Sequence, residues 1–128
     1  KTVTFEKGSK LRVVGYASFE YCGNLRKITF PASVEIVDQD VFDECKKLTK
    51  VSFEKGSKLK EIGARCFMYC ENLKTITFKG PAPKIRTSAF SYVNPNLTFN
   101  VPKKYKAKYT KLLKGKKWYK DTMKIVAQ

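Results

Sequence analysis

A short motif of alternating apolar and polar residues recurs along most of the chain. Each clear copy has a β-branched apolar residue, then threonine or serine, then phenylalanine, and the copies lie 23 to 25 residues apart. The clear copies are Val3-Thr4-Phe5, Ile28-Thr29-Phe30, Val51-Ser52-Phe53 and Ile76-Thr77-Phe78, and Phe99-Asn100-Val101 forms a fifth. Because such alternation is typical of a β-strand that buries one face, the pattern predicts one such strand in every repeat.

The other apolar positions repeat in the same register. A second extended segment follows each strand, and a short helical or tight turn, residues 38–42 in the second unit, comes after it. A unit this small cannot bury both of its faces alone, so neighbouring units are expected to stack into a solenoid with parallel strands. The repeated columns are Val14, Val37, Ile62 and Ile85; Phe19, Phe42, Phe67 and Phe90; Cys22, Cys45, Cys70 and Val93; and Leu25, Leu48 and Leu73, with Leu97 displaced by one residue.

One repeat carries a recognisable family pattern. The motif L-x-x-I-T-F-P-x-S-V-x-x-[IV]-x-x-x-x-F-x-x-C-x-x-L, read from Leu25 to Leu48, resembles the BspA-like leucine-rich repeats of bacterial cell-surface proteins. The segment with Val101-Pro102-Lys103, Tyr109 and Trp118 is similar to the cap that closes many of these arrays. The resemblance implies an α/β fold, namely a short leucine-rich-repeat solenoid with 23–25-residue repeats, a parallel β-sheet on one face and a C-terminal helical cap.

The resemblance also carries expectations about organisation and location. We expect residues 1–101 to form the solenoid, with about four repeats, and residues 102–128 to form the cap. The chain begins within a unit at Lys1, so we expect more repeats or another domain to precede it. The family implies an extracellular protein on the cell surface that adheres to host or neighbouring-cell surface and matrix proteins.

The composition argues against catalysis and against metal binding. The 128 residues include no histidine, which is the commonest general base and a frequent metal ligand. Of the four cysteines, Cys22, Cys45 and Cys70 share a column with Val93, and Cys66 occupies a small-residue position, so we expect buried thiols. No apolar run reaches the length of a membrane span. We therefore predict no catalytic residues, no cofactor, no metal site and no membrane insertion.

One face of the predicted sheet is basic and rich in hydroxyl groups. Such a surface suits a partner protein or an anionic glycan, although threonine also favours strands and lysine keeps an exposed sheet soluble. We predict that partner proteins bind through this face. The predicted contact residues are Arg26, Lys27, Thr29, Thr49, Lys50, Ser52, Lys74, Thr75 and Thr77.

The net charge of +16 is concentrated near the C-terminus. Residues 79–128 contain thirteen basic residues and a single acidic one, Asp121. An alternative function is therefore the binding of a polyanion, such as a sulfated glycan, a cell-wall polymer or a nucleic acid. The predicted polyanion-binding residues are Lys103, Lys104, Lys106, Lys108, Lys111, Lys114, Lys116 and Lys117.

The same segment also has the pattern of a capping helix. Pro102 suits a first helical turn, and an apolar face follows at helical spacing. Gly115 is expected to end the helix. Because the aromatic residues fit this buried face, nucleic acid is the least favoured polyanion. The third hypothesis is that the chain is a purely structural spacer. The apolar face is Tyr105, Tyr109, Leu112 and Leu113, and Trp118, Ile125 and Val126 are expected to complete the seal.

Overall fold

Ten short strands and one α-helix build the fold, in a computed structural model that describes all residues from Lys1 to Gln128. The helix α1 is Lys106–Lys114, and a 3-10 turn, Lys103–Tyr105, leads into it. None of the helices has the length and apolar character that crossing a membrane requires. The strands are β1 (Thr2–Val3), β2 (Val13–Val14), β3 (Lys27–Phe30), β4 (Ile36–Val37), β5 (Lys50–Phe53), β6 (Glu61–Ile62), β7 (Thr75–Thr77), β8 (Lys84–Ile85), β9 (Thr98–Val101) and β10 (Lys124–Ala127).

The strands form two parallel sheets. The larger sheet has the order β1-β3-β5-β7-β9-β10, and the smaller one has the order β2-β4-β6-β8. The predicted solenoid and its parallel sheet are confirmed. The expectation of a sheet on one face was incomplete, because the second extended segment of each repeat also pairs with its counterpart in the next turn.

The strand register reproduces the repeat columns. Ile28 lies beside Val51, Val51 beside Ile76, and Ile76 beside Phe99. These side chains are all buried, whereas most of the residues that alternate with them face outward. One-residue slippage would turn the whole apolar column to solvent, so the alternation itself holds the register.

Each repeat closes with a tight turn and contains no helix, so the helical content of the fold lies in the cap. The turns make a third ladder of hydrogen bonds, since alternate N–H groups point along the solenoid axis. The N–H of Phe42 donates to the carbonyl oxygen of Cys66 in the next turn at 2.8 Å, whereas that of Cys45 donates within its own turn to Phe42 at 3.1 Å. This alternation requires positive φ angles on either side of each phenylalanine, at Ala17, Tyr21, Asp40, Glu44, Arg65, Tyr69, Ser88 and Tyr92.

Two columns of aromatic rings fill the core. In the first, ring centroids are 5.4 Å apart for Phe19 and Phe42, 5.2 Å for Phe42 and Phe67, and 4.9 Å for Phe67 and Phe90. The second column contains the phenylalanines that close the strand motifs, at spacings of 5.4 to 5.7 Å. Ring spacings in the two columns therefore run from 4.9 to 5.7 Å, slightly wider than the distance of about 4.8 Å between paired strands.

The C-terminal segment covers the end of both columns. Tyr109 and Leu113 of α1 are buried, and Gly115 ends the helix as predicted. The strand β10, which the sequence does not predict, extends the larger sheet by pairing with β9. The expectation that Val126 seals the core is wrong: it is 40% exposed, because alternation along β10 turns it outward while Ile125 packs against the core. The division between residues 1–101 and 102–128 stays a prediction.

Gly63 provides a test of how closely the turns approach each other. A Cβ atom at this position would lie 2.4 Å from the backbone nitrogen of Gln39 in the preceding turn. Because the backbone fixes the position of the Cβ atom and the backbone nitrogen cannot move without shifting its turn, we expect Gly63→Ala to reduce the free energy of unfolding by about 1–3 kcal/mol. Urea denaturation followed by circular dichroism measures this loss.

Gly23→Ala is the matched control, because a Cβ atom there meets nothing within 4 Å. Its effect should stay within about 0.5 kcal/mol. Equal stability of the two variants would show that the turns are not in the close contact described above.

Candidate functional site

The outer face of the larger sheet is one candidate surface. Lys27 on β3 lies beside Lys50 on β5, and Lys50 lies beside Thr75 on β7. Thr29 and Ser52 form the next row. The structure therefore brings the predicted face together from three turns of the solenoid. Arg26, Lys27, Thr29, Lys50 and Lys74 are exposed, and Thr49, Ser52 and Thr75 are half-buried.

Thr77 does not belong to the accessible surface. It is only 9% exposed, and its hydroxyl accepts a hydrogen bond from the side-chain amide of Asn100 at 3.1 Å. The longer asparagine side chain on β9 thus occupies the space next to the shorter threonine on β7. Thr77 is corrected to a structural residue, and Asn100 takes its place at the surface.

Sequence reasoning missed the part of this face that β9 and β10 form. Thr98 and Asn100 continue the two rows on β9, and Lys124 and Val126 continue them on β10. The alternation in the fifth repeat motif carried the signal for β9. No repeat motif marks β10, since its pairing depends on how the cap folds back.

The sheet face carries like charges side by side. Lys27 and Lys50 are exposed cross-strand neighbours, and neither forms an ion pair. Like charges directly opposite each other destabilise a sheet. A carboxylate of a partner would remove this repulsion, so the pair is the most favourable point on the face for an acidic group.

The predicted polyanion-binding lysines occupy three parts of the cap. Lys103 and Lys104 lie on the 3-10 turn, four others lie on α1, and Lys116 and Lys117 follow the helix. All are exposed except Lys116, whose Nζ donates to the carbonyl oxygen of Ile85 at 2.8 Å. The structure gathers Lys108, Lys111 and Lys116 around one shallow depression, whereas Lys103 and Lys104 lie apart from it.

The ion pairs of the protein lie elsewhere. Glu35 bridges Arg12 and Lys60 at 2.7 and 2.6 Å, and hydrogen bonds from these two side chains lower the pKa of Glu35 to about 2. The remaining ion pairs join Asp40 to Arg65 and Glu61 to Arg86. Every pair connects neighbouring turns of the solenoid. No lysine of the cap takes part in one, so these cations remain available to an external anion.

The cysteines are packing residues. Cys45 and Cys70 donate their thiol hydrogens to the backbone oxygens of Phe19 and Phe42, at 3.0 and 3.1 Å. Burial raises the pKa of the Cys45 thiol to about 12, and it also raises the pKa of Cys66 and of Cys70. All four cysteines are free, and Cys22 is the one that is partly exposed. The buried thiols are thus poor nucleophiles.

The repeats match a known family model. The model for the BspA type leucine-rich repeat region matches residues 1–117, in six copies. No curated protein and no solved structure matches the chain.

Thiol reactivity tests the packing of the cysteine column. In the native protein we expect Ellman's reagent to modify Cys22 alone, because burial protects Cys45, Cys66 and Cys70. In denaturant all four thiols should react. A Cys22→Ser variant is the control and should show no fast reaction. Rapid modification of more than one thiol in the native protein would contradict the buried column.

Proposed function

Because this chain belongs to the BspA-type leucine-rich repeat family, we propose that it is a non-enzymatic adhesion module that binds partner proteins through the outer face of its larger sheet. The family points to a protein-interaction module. Adhesion, an extracellular position on the cell surface, and host or neighbouring-cell surface and matrix proteins as partners are parts of the proposal. The observation that carries it is the exposed basic ladder around Lys27 and Lys50 on a rigid parallel sheet.

The dimensions of the outer sheet face favour binding through several such faces over binding through one face alone. Six strands at about 4.8 Å spacing, each of up to four residues, give a flat area of roughly 24 by 13 Å. A stable protein interface buries about 800 Å² on each partner, which is more than this face offers. A partner must therefore contact adjoining surfaces as well, or several such faces must act together. Binding by several faces that act together is multivalent binding.

The charges on the face support an acidic partner. Arg26, Lys27, Lys50 and Lys74 are exposed and lack acidic neighbours within ion-pair distance. Electrostatic attraction of this kind raises the rate of association and weakens as salt increases. The hydroxyl groups of Thr29 and Ser52 form the row next to Lys27 and Lys50 and add hydrogen-bonding capacity.

Charge reversal on the sheet tests the proposed surface. We expect Lys27→Glu combined with Lys50→Glu to weaken binding to a matrix protein at least about tenfold, or ~1.4 kcal/mol, because repulsion replaces attraction at the centre of the face. Surface plasmon resonance against a panel of extracellular-matrix proteins, at low salt and at about 0.15 M salt, measures the dissociation constants.

The matched control is Lys7→Glu combined with Lys55→Glu. These lysines occupy equivalent exposed positions in two repeated turns outside the sheets, so the change in net charge is the same. The control should bind almost as tightly as the parent protein. Equal loss in both variants would assign binding to overall charge and not to the sheet. Binding of the parent to no matrix protein would favour the structural spacer.

A second candidate function is polyanion binding through the cap. It is favoured by the exposure of seven of the eight predicted lysines and by the lack of any ion pair among them. Release of counterions makes such binding fall steeply with salt. Sulfated glycans and cell-wall polymers suit it better than nucleic acid, because the cap aromatics Tyr109 and Trp118 pack against core phenylalanines.

Heparin affinity tests this second candidate. A variant with Lys103, Lys104, Lys106 and Lys108 changed to Glu should elute from a heparin column at much lower salt than the parent, because the net charge of its cap falls by about eight units. Unchanged elution would show that these four lysines do not bind heparin. Circular dichroism of the variant verifies that α1 is still folded.

A further inference from the structure

A cleft separates the last turn of the solenoid from the loop that follows α1. Its volume is about 460 Å³, within the usual range for a small-ligand site. The strand β8 forms one wall and is the terminal strand of the smaller sheet, because β10 extends only the larger one. Residues 115–118 form the other wall, and the bond from Lys116 Nζ to the Ile85 carbonyl oxygen joins the two.

Positive charge and hydroxyl groups line this cleft. Its cations are Lys84, Arg86, Lys116 and Lys117, and no acidic side chain lines it. Arg86 is paired with Glu61 at 2.9 Å and Lys116 is held by Ile85, so both are fixed in place. Lys84 and Lys117 are exposed and make no ion pair. The hydroxyl groups come from Thr87, Ser88 and Ser91.

An aromatic surface adjoins the cleft. Trp118 lines both the cleft and a neighbouring hollow of about 240 Å³, in which Tyr92 and Lys120 are added to the lining. The ring of Tyr92 is 64% exposed and stacks on Tyr69, at a centroid distance of 4.9 Å and an angle of 9°. This stack orients Tyr92 and leaves much of its ring in contact with solvent. An aromatic ring held in this way offers an apolar platform beside the charges.

We propose that the cleft and the adjoining hollow bind a sulfated saccharide. Lys84 and Lys117 bind its sulfate groups, the serine and threonine hydroxyls hydrogen-bond to its ring hydroxyls, and Tyr92 contacts the apolar side of a sugar ring. The proposal rests on the second candidate function and gives it a defined site. That site uses β8 and its following turn, which sequence reasoning left out, and only part of the lysine-rich segment.

The combination of charged, hydroxyl and aromatic groups in the cleft and the adjoining hollow favours a saccharide over a bare polyanion. A nucleic acid strand needs successive rings free for base stacking along a basic groove. In this protein the ring of Tyr69 already covers one face of the Tyr92 ring, and the ring centroid of Trp118 lies 5.0 Å from that of Phe90. One exposed ring with three nearby hydroxyl side chains suits a single sugar unit with its own hydroxyl groups.

Trp118 makes the cleft directly observable. It is the only tryptophan in the chain, so any change in tryptophan fluorescence reports on this region. Titration with a heparin-derived tetrasaccharide should give a saturable change, and the desulfated tetrasaccharide should give none at the same concentrations. Equal binding of the desulfated form, or preference for a single-stranded oligonucleotide, would overturn the assignment.

Two pairs of variants locate the binding. Lys84→Gln with Lys117→Gln should weaken tetrasaccharide binding at least about tenfold, whereas Lys103→Gln with Lys104→Gln removes the same charge outside the cleft and should change it less than about twofold. Tyr92→Ala should also weaken binding. Tyr21→Ala is its control, since Tyr21 occupies the equivalent position in the first turn and is 62% exposed.

The outcomes separate this proposal from the function on which it rests. If the Lys103 and Lys104 variant loses as much affinity as the Lys84 and Lys117 variant, the cleft is wrong and a diffuse polyanion surface on the cap remains. If the parent protein binds neither the tetrasaccharide nor heparin, both are wrong. Isothermal titration calorimetry of the same variants gives the affinities independently of fluorescence.

Discussion

The stacking of phenylalanine rings from turn to turn is the constraint on which this structure depends. A turn of 23 to 25 residues has no interior of its own, so its aromatic side chains are buried only by the turns on either side. Ring centroids of neighbouring turns lie 4.9 to 5.7 Å apart, slightly more than the distance of about 4.8 Å between paired parallel strands. Because the ring spacing is close to the strand spacing, the backbone ladders and the aromatic columns stabilise the same register.

The turns between the sheets show what this constraint demands of the backbone. Eight residues other than glycine adopt positive φ angles, a conformation that costs about 1–2 kcal/mol for most side chains. In return, alternate N–H groups of each turn donate to the next turn. A helix would satisfy its N–H groups within one repeat and leave the turns unconnected along this edge. The ladder explains why the repeats contain turns and no helices.

Much of the fold was predictable from the sequence, and the exceptions have physical reasons. The columns of Ile28 and Phe42 predict the solenoid and its register because burial is periodic. The left-handed turn positions hold residues as different as Ala17, Tyr69 and Glu44, so residue type gives no signal for them. The strand β10 lies outside the repeat, and its pairing depends on the path of the cap. The alternation along β7 predicts that Thr77 is a surface residue, and only the position of Asn100 beside it shows that it is buried.

The cap links the core to the candidate binding site. Each aromatic column must end, and each ends on a ring from the C-terminal segment: Tyr109 lies 5.1 Å from Phe78, and Trp118 lies 5.0 Å from Phe90. The Tyr109 hydroxyl shares its single hydrogen between the carbonyl oxygens of Gly80 and Pro81, at 2.8 and 3.0 Å, and so fixes the contact with Phe78.

To reach Phe90, the chain must leave α1 at Gly115 and pass beside β8. This path places Lys116 and Lys117 opposite Lys84 and Arg86, residues about 30 positions earlier in the sequence. The positive charge of the cleft is therefore a direct consequence of closing the Phe19–Phe90 ring column, the first of the two, with Trp118. A cap that ended only the second column, at Phe78, would have left β8 bare and the lysines dispersed. Closure of the core and assembly of the cleft are thus one structural event, which is why the sequence reveals the capping residues but not the site they create.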